Sequence, residues 1–140
     1  MRLFFTSLII FFSCKDQSIQ SDNLDNIIYG NKITYLSQII DGENIMRKVV
    51  LHGHEDPLDN FLYPIVFFFH GNGGDAENWI NSNQDLINDH EFIGIYPQGY
   101  KNSWNLGQER SNADDVEFIE IIMEYLVEYN NIDINKVFAI

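Results

Sequence analysis

The hydrophobic residues of this chain fall into two kinds of segment: short continuous runs, and longer stretches in which apolar residues recur every three or four positions. Two runs rich in β-forming residues, 33–40 and 45–51, flank the turn 41–44, whose Asp-Gly step is typical of a hairpin. Three later runs are apolar enough to be strands buried on both faces, as in a parallel sheet. These runs are 65–69, 92–96 and 136–140.

The periodic segments predict two helices. The first covers residues 75–89, and the second follows Asn112, whose side chain is expected to cap it. Asp114 and Asp115 then lie in its first turn, where negative charge suits the helix dipole. The residues expected to face the core are Trp79, Ile80, Leu86 and Ile87 in the first helix, and Val116, Ile119, Ile122, Met123 and Leu126 in the second. The order hairpin, strand, helix, strand, helix, strand predicts an α/β fold with right-handed crossovers.

The first of these buried strands ends in a glycine-rich loop, His70-Gly71-Asn72-Gly73-Gly74. Backbone N–H groups at such a strand-to-helix junction bind anions, including the oxyanion that forms during ester cleavage. No Lys-Ser/Thr pair follows the glycines, and the spacing G-x-G-x-x-G is absent, so neither phosphate-binding motif fits. Two interpretations remain from the loop alone: an oxyanion loop of the α/β-hydrolase type, or a tight turn with no further role.

Five short motifs, in order, resemble those of the secreted polyhydroxybutyrate depolymerase and feruloyl-esterase group of α/β-hydrolases. They are H-G-N-G-G at 70–74, Y-P-Q-G at 96–99, S-W-N at 103–105, D-D-V-E-F-I at 114–119 and I-D-I-N-K-V-F-A-I at 132–140. The resemblance covers residues 33–140 and implies the N-terminal half of that fold: an antiparallel hairpin, then β-α-β-α-β of a parallel sheet. It implies a carboxylic-ester hydrolase that uses a serine nucleophile and no cofactor.

The resemblance also implies roles for individual residues. Backbone N–H groups around Asn72 and Gly73 would stabilise the oxyanion, and Tyr100 and Trp104 would line the substrate site. In that family the last strand runs directly into the G-x-S-x-G nucleophile elbow, and the Asp or Glu and the His of the triad follow it. No G-x-S-x-G occurs in these 140 residues. We therefore expect a fragment that stops before the elbow and is inactive as given.

The N-terminus has the features of an export signal. Residues 1–13 combine Arg2 with a short apolar core, and Cys14, the only cysteine, follows. The sequence 11–14 resembles a bacterial lipoprotein cleavage box, so we expect lipidation of Cys14; an ordinary secretory signal is the alternative. Residues 14–29 are then a polar tether and 30–140 the folded domain. These features predict an exported protein, anchored as an outer-membrane or cell-surface lipoprotein, or otherwise periplasmic or secreted.

The overall charge limits the possible partners. With 21 acidic against 8 basic residues, the chain has a formal net charge of −13, which argues against nucleic acid or an anionic membrane surface as a partner. The membrane contact is expected through the lipid anchor alone. The sequence does not predict an oligomeric state.

Two other functions remain open from the sequence. His52, His54 and Asp56 follow an apolar run with the spacing H-x-H-x-D, which resembles the metal motif of zinc hydrolases of the metallo-β-lactamase type. Pro57 stands where that family has a further histidine, so we predict no metal site. The other alternative is a non-catalytic surface lipoprotein that binds glycan or peptide through the same loops.

Overall fold

The computed structural model describes residues 26–140, which form one mixed sheet with helices on both faces. The strands are β1 (Asn31–Ile40), β2 (Glu43–His52), β3 (Tyr63–Phe67), β4 (Ile93–Pro97) and β5 (Ile132–Ala139), and the helices are α1 (Ile80–Asn88) and α2 (Asp115–Leu126). Short 3₁₀ turns lie at Ala76–Trp79 and Tyr100–Asn102. No helix within residues 26–140 combines the length and apolar character needed to cross a membrane.

The spatial order of the strands is β1-β2-β4-β3-β5. β1 and β2 pair antiparallel, β2 is antiparallel to β4, and β3 is parallel to both β4 and β5. The predicted hairpin and the β-α-β-α-β order are therefore confirmed. Asp41 and Gly42 both have positive φ, at 53° and 81°, as the two central residues of a type I′ hairpin turn require.

β3 is buried on both faces, as its continuous apolar run predicted. Ile65 and Phe67 pack with α2 in one core cluster. Val66 and Phe68 face the other side, where they pack with Tyr96 and with partly buried Ile80 at the start of α1. Helices therefore cover both faces of β3, and its carboxyl end leads into residues 70–74.

The second helix begins differently from the prediction. Asp114, not Asn112, is its N-cap, and the Asp114 carboxylate accepts hydrogen bonds from the N–H groups of Val116 and Glu117. Val116 was expected in the core but is 71% exposed, whereas Phe118 is fully buried. The buried stripe is Phe118, Ile122 and Leu126, so the helix is rotated relative to the prediction. The predicted helix 75–89 divides into the 3₁₀ turn and α1.

The folded domain includes residues that the sequence assigned to the tether. Ile28 is buried, and its backbone N–H and oxygen both bond to the Asn131 side chain at 2.9 Å. Residues 26–29 therefore belong to the domain, because they are fixed against the loop before β5. The expected signal (1–13), the lipidated Cys14 and the tether up to residue 25 lie outside the described residues.

β5 forms one edge of the described sheet. It pairs with β3 on one side, and no described strand pairs with the other. Of the residues predicted to be buried in a complete fold, Val137 is 41% exposed, Phe138 57% and Ile140 71%. The described part of the chain therefore presents an apolar strand edge to solvent.

Candidate active site

The carboxyl ends of β3 and β4 lie side by side and carry two loops that contact each other. The loop after β3 is the glycine loop (residues 70–74), and the loop after β4 (residues 98–105) includes Trp104. In parallel α/β sheets, ligands bind beyond the carboxyl ends of the strands. The structure thus brings together two of the regions that the sequence singled out.

His70 joins these two loops. Its ring is buried, with Nδ1 2.7 Å from the Gly71 oxygen, and its Nε2 accepts a hydrogen bond from the Gly99 N–H at 3.0 Å. Since the Gly99 N–H can only donate, Nε2 is the acceptor and the proton of the neutral ring is on Nδ1, facing the Gly71 oxygen. Both ring nitrogens are engaged, so His70 serves to position the loop and is not available as a catalytic base.

The hydrogen bonds within the glycine loop decide which of its amides are free. The Gly71 oxygen accepts from both His70 Nδ1 and the Gly74 N–H (2.9 Å), which fixes the peptide unit between Gly71 and Asn72. The Gly73 N–H donates to the Asn102 oxygen at 2.7 Å. The Gly73 N–H is therefore already hydrogen-bonded within the chain, contrary to the expectation from the sequence that it is an oxyanion donor. The N–H groups of Gly71 and Asn72 have no partner among the described residues.

Trp104 forms the wall beside this loop. Its indole N–H donates to the His70 oxygen at 2.8 Å, and its ring lies 5.1 Å from the rings of both Phe69 and His70. Tyr100, the other predicted lining residue, begins the 3₁₀ turn and has the Lys101 ammonium group 4.9 Å from its ring centre. Tyr100 does not line either of the two cavities next to Trp104.

Two cavities meet at Trp104. A small one, about 170 Å³, is lined by His70, Gly71, Asn72, Ser103, Trp104, Leu106 and Glu109. A larger and mainly apolar groove, about 550 Å³, is lined by Phe69, Trp104, Asn105, Leu106, Asp115, Val116, Ile119 and Glu120. Gly71 and Asn72, whose N–H groups are free, thus line a small cavity that shares Trp104 and Leu106 with an apolar groove.

Arg47 lies beneath the loop that follows β4, and it was not singled out from the sequence. Its side chain is 2% exposed and lies 2.9 Å from Asp115, and its guanidinium also donates to the Gln98 backbone oxygen. Burial lowers the pKa of Arg47, and the hydrogen bond to Asp115 opposes that shift. The sequence did hold a signal, because Arg47 alternates with core residues Val49 and Leu51 on one face of β2.

Gln98 connects Arg47 to the glycine loop. Its side-chain oxygen accepts from the Ala76 N–H at 2.9 Å, and its amide nitrogen lies 3.1 Å from His70 Nε2. Gln98 belongs to the Y-P-Q-G motif, but the sequence alone did not show what its side chain contacts. It ties the end of β4 to both ends of the loop that follows β3.

The residues of the zinc alternative do not converge. His52 is buried, with its ring 6.3 Å from that of Tyr96, whereas the His54 ring stacks on His90 at 3.6 Å. His54 Nδ1 accepts a hydrogen bond from the Asp56 N–H. Within residues 26–140 no three histidine, cysteine or acidic side chains are grouped to hold a metal ion. The H-x-H-x-D motif lies at the amino end of β4, because His52 pairs with Gly94. The glycine loop lies at the other end of the strands, after the carboxyl end of β3.

None of the described serines is bonded to a histidine. Ser37 bonds to Asn44, Ser82 to the Trp79 oxygen, and Ser111 accepts from the Ala113 N–H. Ser103 is fully buried, and its hydroxyl has no hydrogen-bond partner among the described residues. The described part of the chain therefore offers a glycine loop with two free amides but no nucleophile–base pair.

No protein-family model and no curated protein sequence matches the chain. Solved structures do match. A thermostable esterase has a TM-score of 0.52 and 23% identity, over 76% of this chain and 33% of that one. The CE1 ferulic acid esterase AmCE1/Fae1A from Anaeromyces mucronatus has a TM-score of 0.51 and 16% identity, over 83% and 50%. FphF, a fluorophosphonate-binding serine hydrolase of Staphylococcus aureus, has a TM-score of 0.50 and 15% identity, over 79% and 46%.

The chain spans between a third and a half of the length of these proteins. The strand order and the matches together give it the fold of the N-terminal part of an α/β-hydrolase. The identities are low enough that the likeness establishes the fold alone.

Proposed function

We propose that these residues form the N-terminal part of an exported carboxylic-ester hydrolase with a serine nucleophile, in which the glycine loop is the oxyanion loop. One observation carries the proposal. The Gly71 oxygen is held by two donors, and the cavity at the carboxyl end of β3 is lined by Gly71 and Asn72, whose N–H groups bond to no described residue.

The trans peptide unit explains the arrangement. The Gly71 oxygen and the Asn72 N–H point in opposite directions in a trans peptide, so fixing the oxygen toward His70 and Gly74 also fixes the N–H, directed away from them. A donor that is oriented before the reaction stabilises the oxyanion without reorganisation. Such a donor contributes about 3 kcal/mol to transition-state stabilisation.

Trp104 supports a substrate with an apolar or aromatic acyl part. Its ring borders both the small cavity and the apolar groove, so a group that enters from the oxyanion loop passes along an aromatic face. Polyesters and feruloyl or acetyl esters all fit this description. We propose this ester class on the basis of Trp104 and the sequence motifs.

The proposal requires catalytic residues from outside these 140 residues. His70 uses both ring nitrogens to hold the loop, and His54 and His90 are stacked at the opposite edge of the sheet. His52 is buried next to Tyr96. Since the four histidines of the chain are placed in these ways, none is available as a base at the glycine loop, and the 140-residue chain alone is proposed to be inactive.

The test uses the product of the gene together with the sequence that follows the codon for Ile140. Asn72→Pro removes the proposed donor N–H, and Asn72→Ala removes only the side chain and serves as the matched control. With p-nitrophenyl acetate, we expect kcat to fall about 100- to 1000-fold in Asn72→Pro and to change little in Asn72→Ala. Equal kcat values in both variants would remove Asn72 from the oxyanion site, and no hydrolysis by the wild-type product would refute the esterase proposal.

We also propose that the protein is exported and anchored through a lipid on Cys14. The support is sequence alone: a short apolar segment after Arg2 and a single cysteine directly behind it. In a bacterial host, the wild-type chain should fractionate with membranes, and Cys14→Ala should be released or misprocessed. A wild-type chain that is soluble and cleaved at another position contradicts lipidation.

A further inference from the structure

Two consecutive residues of the loop after β4 have a left-handed backbone. Lys101 has φ 54° and ψ 32°, and Asn102 has φ 57°. This conformation is uncommon for residues with a side chain, and asparagine adopts it more readily than lysine. Two such residues in succession are a conformational cost that the surrounding structure has to balance, and such costs cluster at functional sites.

The turn places a carbonyl group against the glycine loop. Asn102 N–H donates to the Gly99 oxygen at 3.1 Å, which closes the 3₁₀ turn. The Asn102 oxygen then accepts from the Gly73 N–H at 2.7 Å. This contact occupies the Gly73 amide. It also joins the loop after β3 to the loop after β4.

We propose that Lys101 and Asn102 are positioning residues for the glycine loop. Their left-handed turn holds Gly73, at φ 80°, so that the amides of Gly71 and Asn72 remain the free pair. The catalytic meaning of this arrangement rests on the proposed oxyanion role. The positioning itself is a property of the chain and is measurable without any esterase activity.

The loop contains its own reporter of that contact. Asn72-Gly73 is the one Asn-Gly step in the sequence, and such steps deamidate spontaneously. The Gly73 nitrogen loses its proton and attacks Cγ of Asn72, so that a C–N bond forms and ammonia leaves. Water then opens the five-membered succinimide to aspartate or isoaspartate. A Gly73 N–H that is hydrogen-bonded to Asn102 retains its proton and its direction, so the folded loop should resist this reaction.

The experiment measures isoaspartate and aspartate at position 72 by peptide mapping after incubation of the intact chain at mildly alkaline pH. The wild-type chain should react more slowly when folded than in urea. Asn102→Val places a β-branched residue where φ is positive, so the turn should open and the reaction should accelerate by roughly tenfold or more. Asn102→Gly accepts the same φ and should react at nearly the wild-type rate.

Asp41→Val is the control for general destabilisation. Asp41 also has positive φ, at 53°, but lies in the β1–β2 turn, and its side chain bonds to Asn112 and not to a residue of the glycine loop. It should lower stability without accelerating the reaction at Asn72. If Asn102→Val does not fold, Asn102→Ala, which disfavours the same φ more mildly, takes its place and should give a smaller acceleration.

Equal rates in folded and urea-unfolded wild-type chain would overturn the proposal, as would equal acceleration in Asn102→Val and Asp41→Val. Failure of the esterase test leaves these rates unaffected. The two proposals therefore fail separately.

Discussion

Nε2 of His70 accepts a hydrogen bond from the backbone N–H of Gly99 at 3.0 Å, and this contact joins the loops that follow β3 and β4. His70 is buried, as is Gly99. A buried N–H that loses its acceptor retains the full cost of desolvation. The His70 ring is therefore a structural link at the centre of the candidate site.

Replacement of His70 by Phe tests this link, because it keeps an aromatic ring and removes both polar contacts. We expect the free energy of unfolding, from urea titration followed by circular dichroism, to fall by about 1–3 kcal/mol. Trp104→Phe is the control in the neighbouring loop after β4, since it removes a single bond to the His70 oxygen. A loss in His70→Phe no larger than that in Trp104→Phe contradicts the linking role.

Arg47→Met should destabilise the chain because it removes the cation that pairs with Asp115 and leaves the Gln98 oxygen without its donor. Removing one member of a buried ion pair costs about 3–5 kcal/mol, and the lower end applies here because Asp115 is 19% exposed. Lys48→Met, one residue along β2, is the control. Lys48 pairs with Glu77, whose side chain is 42% exposed, so its removal should cost less than about 1 kcal/mol. Equal losses would show that Arg47 is not the buried support described above.

Acid should weaken the fold through His52. Burial lowers the pKa of His52 below its usual value of 6.5, and the charge of Glu55 opposes that shift. The unfolded chain takes up this proton near pH 6.5, whereas the folded chain takes it up only at lower pH. The contribution of neutral His52 is therefore complete above pH 6.5 and declines as the pH falls toward the folded-state pKa.

His52→Leu removes this titration and keeps an apolar side chain at the position. Between pH 7 and 5, roughly the range in which histidine titrates, the unfolding free energy of the variant should fall less steeply than that of the wild-type chain. Parallel curves for the two chains would mean that His52 takes up its proton equally in both states.

The open edge of β5 should bind the dye ANS and promote self-association of the 140-residue chain. Phe138 and Ile140 are 57% and 71% exposed on an edge that no strand within residues 26–140 pairs with, and such edges pair with other chains. Phe138→Lys should reduce both effects. Val116→Lys is the comparison, since Val116 is also 71% exposed but belongs to the helix α2 and not to a strand. Equal reduction by both variants would assign the effects to exposed apolar surface in general.

The sheet could be predicted because its information is local. The Asp41-Gly42 step fixes the hairpin turn, and the continuous apolar run of β3 requires cover on both faces. The N-cap of α2 could not be predicted with the same certainty, because Asn112 and Asp114 are both good N-cap residues. Which of them caps the helix depends on where the preceding loop ends.

The site was predicted by location but not by its hydrogen bonds. Position after β3 identified the glycine loop, yet which amide is free depends on Asn102, 29 residues after Gly73 in the chain. Arg47 is a similar case, because its contacts with Gln98 and Asp115 exist only once β2, β4 and α2 are assembled. Contacts between distant segments leave little trace in a single sequence.

Labelling with a fluorophosphonate probe tests the central claim most directly. The product of the gene, including the sequence that follows the codon for Ile140, and the 140-residue chain are treated side by side, and the labelled peptide is identified by mass spectrometry. We predict one labelled serine in the longer product, located outside residues 1–140, and no labelling of the 140-residue chain. Labelling of any serine within these 140 residues, or no labelling of the longer product, would contradict the account.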